Sequence, residues 1–307
     1  MSLSQYPFLT PAFLDALEHS GSVGPGSGWQ PNHLRVVGRD GEQAFMPLYL
    51  KSHSWGEYVF DWGWADAYRR HGLDYYPKLL SAIPFTPATG PRIRFAPGVD
   101  RPSLTRDLVR QAVDLAGEQG ASSWHILFPD SDHLALLEAV DDPRLMRRTG
   151  VQFHWLNRDY DSFETFLAAL SSRRRKMIRR ERRQVAEQDF DIEMVPGDAI
   201  EPGLWAFFYR VYHRTYLKRS GSAGYLTREF FMALGENLAG QVAMAVARRN
   251  GEPVAAALFF HDDTTLYGRY WGCEGEYDFL HFELCYYRGI DFAITRGLRT
   301  FDAGAQG

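Results

Sequence analysis

The chain has 307 residues, of which 45% are hydrophobic, 23% charged and 15% aromatic, with a net charge of −4. Those values fit an ordinary globular protein of about two domains and exclude a disordered or collagen-like chain. No apolar run approaches the ~20 residues of a bilayer span. The N-terminus MSLSQYPFLTP lacks the basic and apolar regions of a signal peptide, and Cys273 and Cys285 form no disulfide framework, so a cytoplasmic protein is expected.

In chain order, Thr10-Pro11 places an N-cap and an N1 proline before the helix AFLDALE. Residues 20–31 read as a Gly/Pro/Ser-rich loop. His33–Val37 and Glu42–Leu50 read as a hairpin turning at Asp40-Gly41. Tyr58–Trp64 is expected as a strand, Leu73–Ala82 as a helix stopped by Pro84, Leu104–Gln119 as a helix ended by Gly120, and Trp124–Phe128 as a strand. After 150 come a strand in QFHWL, a helix opened by a capping box Asp161-x-x-Glu164, a basic helix over 171–187, and an amphipathic helix Trp205–Leu217. The remainder reads as helix from Leu226, hairpin strands Val242–Arg248 and Pro253–Phe260, strand Tyr267–Cys273, helix His281–Arg296 with Gly297 as C-cap, and a strand from Thr300.

The chain contains an internal repeat. Leu9-Thr10-x-x-Phe13 recurs as Leu226-Thr227-x-x-Phe230, Arg39-Asp-Gly-Glu42 as Arg249-Asn-Gly-Glu252, Trp62-Gly63 as Trp271-Gly272, and Tyr75-Tyr76 as Tyr286-Tyr287. The matches keep one order and a nearly constant offset, so two copies of one α/β (α+β) domain are expected, at 1–150 and 151–307. Aligned in this way, the second copy lacks roughly one helix and one strand at its C-terminal end, as if incomplete there.

Residues 173–183 hold eight basic residues and one acid, +7, so the rest of the chain sums to −11. Arg173, Lys176, Arg180 and Arg183 fall on one outward face, a candidate site for phosphate. Glu283 lies on the apolar face of its helix with Tyr286. It suits either a general base for an attacking amine or a buried carboxylate paired with an arginine. Asp61 and Trp62 in the first copy, and Arg269, Tyr270 and Asp302 with Gln306 in the second, sit at strand ends where a substrate could bind. No Gln/Arg-x-x-Gly-x-Gly/Ala loop for the pyrophosphate of acetyl-CoA is present, and Gly272-Cys-Glu-Gly-Glu276 stands in its place. Walker loops, GxSxG elbows and zinc spacings are absent, and a metal site is not expected.

The order αβββαβαβ, twice over, resembles a tandem of GNAT-type acyltransferase domains. The helix Ser171-Ser172-Arg173-Arg-Arg-Lys176-x-Ile178-Arg179-Arg180 and the ending Gly297-Leu-Arg-x-Phe301-Asp302-x-Gly304 are similar to motifs of the Fem peptidoglycan aminoacyltransferases. Stretches such as MPLYLKSHSWGEYVFDWGWADAY and GLRTFDAGAQG resemble FemAB-like bacterial proteins. The resemblance implies transfer of an aminoacyl group to an amine of a cell-wall precursor, with aminoacyl-tRNA as donor rather than acyl-CoA and no other cofactor. The long helical hairpin that Fem enzymes insert in the second unit is not visible. The expected catalytic residues are Glu283 and Asp302. The expected substrate contacts are Arg173, Lys176, Arg179, Arg180, Asp61, Trp62, Arg269, Tyr270 and Tyr286. The expected partner is a phosphate-bearing substrate, a nucleotide-linked precursor or tRNA, and not DNA. An acyl-CoA-dependent N-acyltransferase and a non-catalytic anion- or RNA-binding module are the alternatives.

Overall fold

The computed structural model describes residues 6–39 and 41–304. Asp40 and Gln306 lie outside the described residues. The chain forms two compact units, one of Leu17–Val151 and one that joins the residues before Leu17 to those from Gln152 onward. The early segment goes with the later half because it is aromatic: the Phe8 ring lies 5.0 Å from Phe260 and 5.1 Å from Tyr267, and Phe13 lies 5.7 Å from both Phe230 and Phe260. The division between 1–150 and 151–307 expected from the repeat does not include this crossing.

After α1 (Pro11–His19), the Leu17–Val151 unit has strands β1 (Trp29–Pro31), β2 (Leu34–Gly38), β3 (Gly41–Met46), β4 (Tyr49–Lys51), β5 (Lys78–Ser81), β6 (Arg94–Phe95) and β7 (Trp124–Ile126). Its helices are α2 (Trp62–Arg70), α3 (Arg101–Glu118) and α4 (Ser131–Glu138). Strands β1 and β2 face β4 and β3 in a single register, from Trp29↔Lys51 to Val36↔Ala44, so together they are one long hairpin interrupted near Pro47. Both β5 and β6 pair antiparallel to the second arm of that hairpin, with registers ten residues apart, and the intervening residues 82–93 loop out. Strand β7 returns through α3 to lie parallel to β5. Buried Arg92 ties the excursion down by donating to the carbonyls of Leu127, Gly90, Pro91 and Ala88.

The other unit carries one sheet in the order β8-β13-β12-β11-β10-β9. Its strands are β8 (His154–Leu156), β9 (Asp191–Pro196), β10 (Val242–Arg249), β11 (Glu252–His261), β12 (Thr265–Cys273) and β13 (Thr300–Asp302). Helices α5 (Phe163–Ala168) and α6 (Ser172–Ala186) precede β9, while α7 (Pro202–Ser220) and α8 (Arg228–Asn237) lie between β9 and β10. A last helix, over 280–295, consists of α9 (Leu280–Phe282), a π turn (Glu283–Tyr287) and α10 (Arg288–Thr295). One face of the sheet, with Phe259, Leu266 and Phe301, packs on Phe163, Leu167, Ile178, Leu284 and Ile290. On α7 the approach is so close that a Cβ on Gly272 would meet the Val211 backbone at 2.3 Å.

The two units share their pairing scheme: a hairpin, a strand antiparallel to its second arm, then a helix and a strand parallel to that one. Their leading helices open identically, with the hydroxyls of Thr10 and Thr227 accepting from Phe13 N and Phe230 N at 3.3 Å. The architecture is a tandem of GNAT-like domains.

Several expected elements change type. Tyr58–Trp64 is not a strand: Gly56 and Tyr58 take positive φ, and Trp62 begins α2 behind Asp61. Leu73–Ala82 is not a helix but contains β5, whose four residues are all buried; a short apolar run reads equally as buried helix or buried strand. The pairing of YVFDWGW with YGRYWGC and of the two Tyr-Tyr segments is therefore no structural equivalence. The pairing scheme instead matches β5 to β12, α3 to the helix over 280–295, and β7 to β13. The cap before α5 is Ser162 with Thr165, one residue on from the expected Asp161 box.

Candidate functional site

Strands β12 and β13 pair from Thr265↔Thr300 to Tyr267↔Asp302, and that last rung lies two residues before Arg269 on β12. There β12 bulges: Leu258 and Phe259 on β11 face Tyr270 and Gly268, leaving Arg269 as the extra residue. A bulged residue is outside the ladder, so its backbone groups can serve something other than the sheet. The Arg269 guanidinium turns back to Asp302, with Nη2–Oδ2 at 2.8 Å and Nη1–Oδ1 at 3.5 Å, and lies over the Phe8 and Tyr267 rings. Both side chains are buried, and Arg269 Nε has no acceptor among the described residues.

Asp302 is held from four sides. Besides Arg269, its Oδ1 accepts from Gly304 N at 2.9 Å and Gln152 Nε2 at 3.3 Å. His154, the β8 residue opposite Asp302 in the ladder, brings Nε2 to 3.9 Å from Oδ2. His154 keeps part of its ring in solvent, so a substrate can reach this imidazole. No sequence signal marked it, because a histidine in a three-residue strand has no spacing to read.

Arg269 and Asp302 are thus brought together, whereas Tyr270 is a core residue, packed 5.7 Å from Tyr212 and 6.0 Å from Phe231. Glu283 opens the π turn. Its carboxylate accepts from Arg182 at 3.0 and 3.1 Å and from Arg288 Nε at 3.0 Å, and Arg182 also reaches Asp291. A carboxylate held by two guanidiniums is committed as an acceptor, which is the arginine-paired alternative rather than a free base. The π turn explains the partnership, because residues five apart diverge on an α-helix but come into line where Arg288 N–H bonds the Glu283 carbonyl. Tyr286 takes another direction, towards His281 at 5.7 Å and Phe282 at 6.0 Å. Trp271 also packs on His281, at 5.1 Å, and burial lowers the pKa of that histidine.

Helix α6 divides its cations by function. Arg175 donates to the carbonyls of Leu167, Ala168 and Leu170 at the end of α5, Arg179 pairs with Glu164, and Arg182 lies over Phe163 and on Glu283. Arg173, Arg174, Lys176, Arg180 and Arg183 are exposed and have no acidic partner among the described residues.

In the Leu17–Val151 unit, Asp61 belongs to a buried cluster. Lys78 Nζ donates to Ser54 Oγ at 2.9 Å, to Glu57 Oε2 at 2.8 Å and to Asp61, and Tyr75 OH donates to Asp61 at 2.8 Å. Lys51 stands 4.0 Å from Glu57 and 3.8 Å above the Trp29 ring. Burial pulls the Lys51 pKa down to about 7 and pushes that of Glu57 up. For Asp61, burial raises the pKa but hydrogen bonds from Lys78, Ser54 and Tyr75 outweigh it, and the net shift is downward. Trp62 is exposed at the start of α2, 5.1 Å from Trp55.

No helix among the described residues is long and apolar enough to cross a membrane. A search among curated proteins gives no match. Among solved structures, FemX matches with TM-score 0.52 at 14% identity, over 99% of this chain and 85% of that one. L-PGS from Bacillus licheniformis matches at 0.52 and 10%, over 98% and 77%. The C-terminal domain of a putative lysylphosphatidylglycerol synthetase from Agrobacterium fabrum matches at 0.51 and 11%, over 95% and 79%. At such identities the likeness is one of fold. The FemAB-like family, described by peptidoglycan biosynthesis and recognition, matches residues 1–307 in full, and the chain belongs to that family.

Proposed function

We propose that the protein is a Fem-like aminoacyl- or acyltransferase that moves an acyl group from an activated ester to an amine of a cell-wall precursor or a related amine. The observation that carries this reading is the bulge of β12 at Arg269, next to the Tyr267↔Asp302 rung, with Asp302 and His154 beside it. An ester carbonyl placed there would meet backbone donors released from the ladder, which would stabilise the oxyanion formed when the amine attacks. His154 would take the amine proton and return it to the ester's alcohol oxygen as the C–O bond breaks and the alcohol leaves, Asp302 would orient the imidazole, and Arg269 would hold Asp302. Glu283 acts at a distance, fixing α6 to the last helix. The unpaired cations of α6 suit a phosphate-bearing substrate, and aminoacyl-tRNA is the donor we propose, as the resemblance to Fem aminoacyltransferases implies.

The test is acyl transfer from aminoacyl-tRNA to a nucleotide-linked cell-wall peptide by purified protein. His154→Gln is expected to lower kcat by about 10²-fold or more, the usual scale for losing a general base, with KM little changed. Glu283→Gln is expected to leave the pH profile intact. Full turnover by His154→Gln would refute the assignment. A thermal shift with millimolar CoA would favour an acyl-CoA donor instead.

A further inference from the structure

Helix α6 carries its charges against its own stability. Its first turn has no acid, and there Arg173, Arg174 and Arg175 meet the positive end of the helix dipole. Lys176 and Arg180 stand four residues apart, and Arg173–Lys176 and Arg180–Arg183 three apart, spacings at which like charges repel. The rotation of the helix about its axis is nonetheless fixed. Ile178 and Val185 are buried, Arg175 turns to the carbonyls of α5, Arg182 to Glu283, and Glu181 accepts from Tyr287 OH. With 3.6 residues per turn, Arg173, Lys176, Arg180 and Arg183 then fall within an arc of about 80° on the opposite side. All four are exposed and have no acidic partner among the described residues. Neighbouring acids do not cancel them: Glu164 holds Arg179, Glu181 faces Tyr287, and Glu187 and Asp189 come after the row has ended.

The length of the row separates two kinds of anion. From Arg173 to Arg183 the helix rises about 15 Å, at about 1.5 Å per residue. Phosphates on one strand of a nucleic-acid duplex recur about every 3.4 Å along its axis, so the row spans about four of them. The diphosphate of a nucleotide-linked precursor joins its two phosphorus centres through a single oxygen. It can reach neighbouring cations at one place in the row and leaves the rest bare. An elongated polyanion engages the whole row.

We propose that the outer face of α6 docks the sugar–phosphate backbone of the RNA donor, with Arg173, Lys176, Arg180 and Arg183 on successive phosphates of one strand. The nucleotide-linked acceptor takes no part in this contact. Contacts to phosphate carry no sequence information, so the docking is indifferent to base sequence and to whether the RNA is acylated. The choice of RNA rests on the transferase reading.

Filter binding of deacylated tRNA to the full chain, between about 50 and 200 mM KCl, tests the contact without any transfer step. The logarithm of the association constant should fall against that of the salt concentration with a slope of about −3.6, four phosphates at about −0.9 each. Lys176→Gln and Arg180→Gln should each weaken binding at low salt and make the slope shallower by about one unit. Both side chains lie on the outer face, and unchanged thermal unfolding confirms folded variants. An RNA hairpin of unrelated sequence should bind as tRNA does, and millimolar UDP-N-acetylglucosamine should not displace either. A slope shallower than about −1, an unchanged slope in both variants, or displacement by the nucleotide sugar would overturn the proposal. Steep, variant-sensitive tRNA binding by a protein that transfers nothing would defeat the transferase reading and leave this contact standing. Transfer from aminoacyl-tRNA with a flat salt response would do the reverse.

Discussion

The two units use charge in contrasting ways. In Leu17–Val151, Lys78 places all three of its N–H donors on Ser54, Glu57 and Asp61, with none of the four exposed. In the other unit, Glu283 is equally buried, but its partners Arg182 and Arg288 reach it from the surface and keep about a quarter to a third of their side chains in water, 26% and 33%. The first arrangement bears the full desolvation of its ions and gains a fixed loop. The second solvates its cations and joins α6 to the last helix. Burial of the cation, more than the count of ion pairs, decides how much is lost when a partner goes.

The largest expected effect breaks the dry cluster. Lys78→Met strands two buried carboxylates and should cost about 3–5 kcal/mol, the range for breaking a buried pair, measured by urea unfolding with tryptophan fluorescence. A loss under 1 kcal/mol would mean that water reaches the cluster. Next comes its pH dependence. Lys51 has a folded pKa of about 7, below the ordinary lysine value, because burial disfavours its charge. Between pH ~7 and ~10.4 the unfolded chain therefore holds the extra proton, and this group makes stability rise with pH, by at most about 1.4 kcal/mol per unit. Unfolding midpoints between pH 7 and 9 should show the rising contribution in the native protein and not in Lys51→Met. The smallest effect lies on the exposed α6 pair: Arg179→Ala removes the contact with Glu164 and should change stability by less than about 0.5 kcal/mol, while weakening tRNA binding in a salt series if that face meets phosphate.

Much of the second unit was legible in the sequence because its elements are long and regular. The strand Tyr267–Cys273 falls within β12, and the helix to Arg296 stops at Gly297, which has φ of 65°. The pairing scheme that the two units share was legible too, through the two hairpin turns. The middle of the first unit was not. There the strand answering to β12 is split into β5 and β6 by an excursion, and α2 is inserted before it, so residues spaced like the second copy were matched across different structures. For the candidate site, Arg269, Asp302 and Glu283 stood out as polar residues in apolar surroundings. His154 did not, since its significance comes from a cross-strand neighbour almost 150 positions away. Nor was the pairing of Glu283 with Arg288 readable, because a 3.6-residue period puts them on different faces.

That last point reaches beyond this molecule. The π turn is the trace of one residue accommodated without lengthening the helix at either end, with Leu284 and Tyr287 still directed into the core. A relative whose corresponding segment is shorter by one residue would keep the same apolar contacts on a regular helix and forfeit the Glu283–Arg288 bond. Length in this stretch therefore decides whether Glu283 answers to one guanidinium or to two, while the Arg182 contacts with Glu283 and Asp291 keep joining α6 to the last helix.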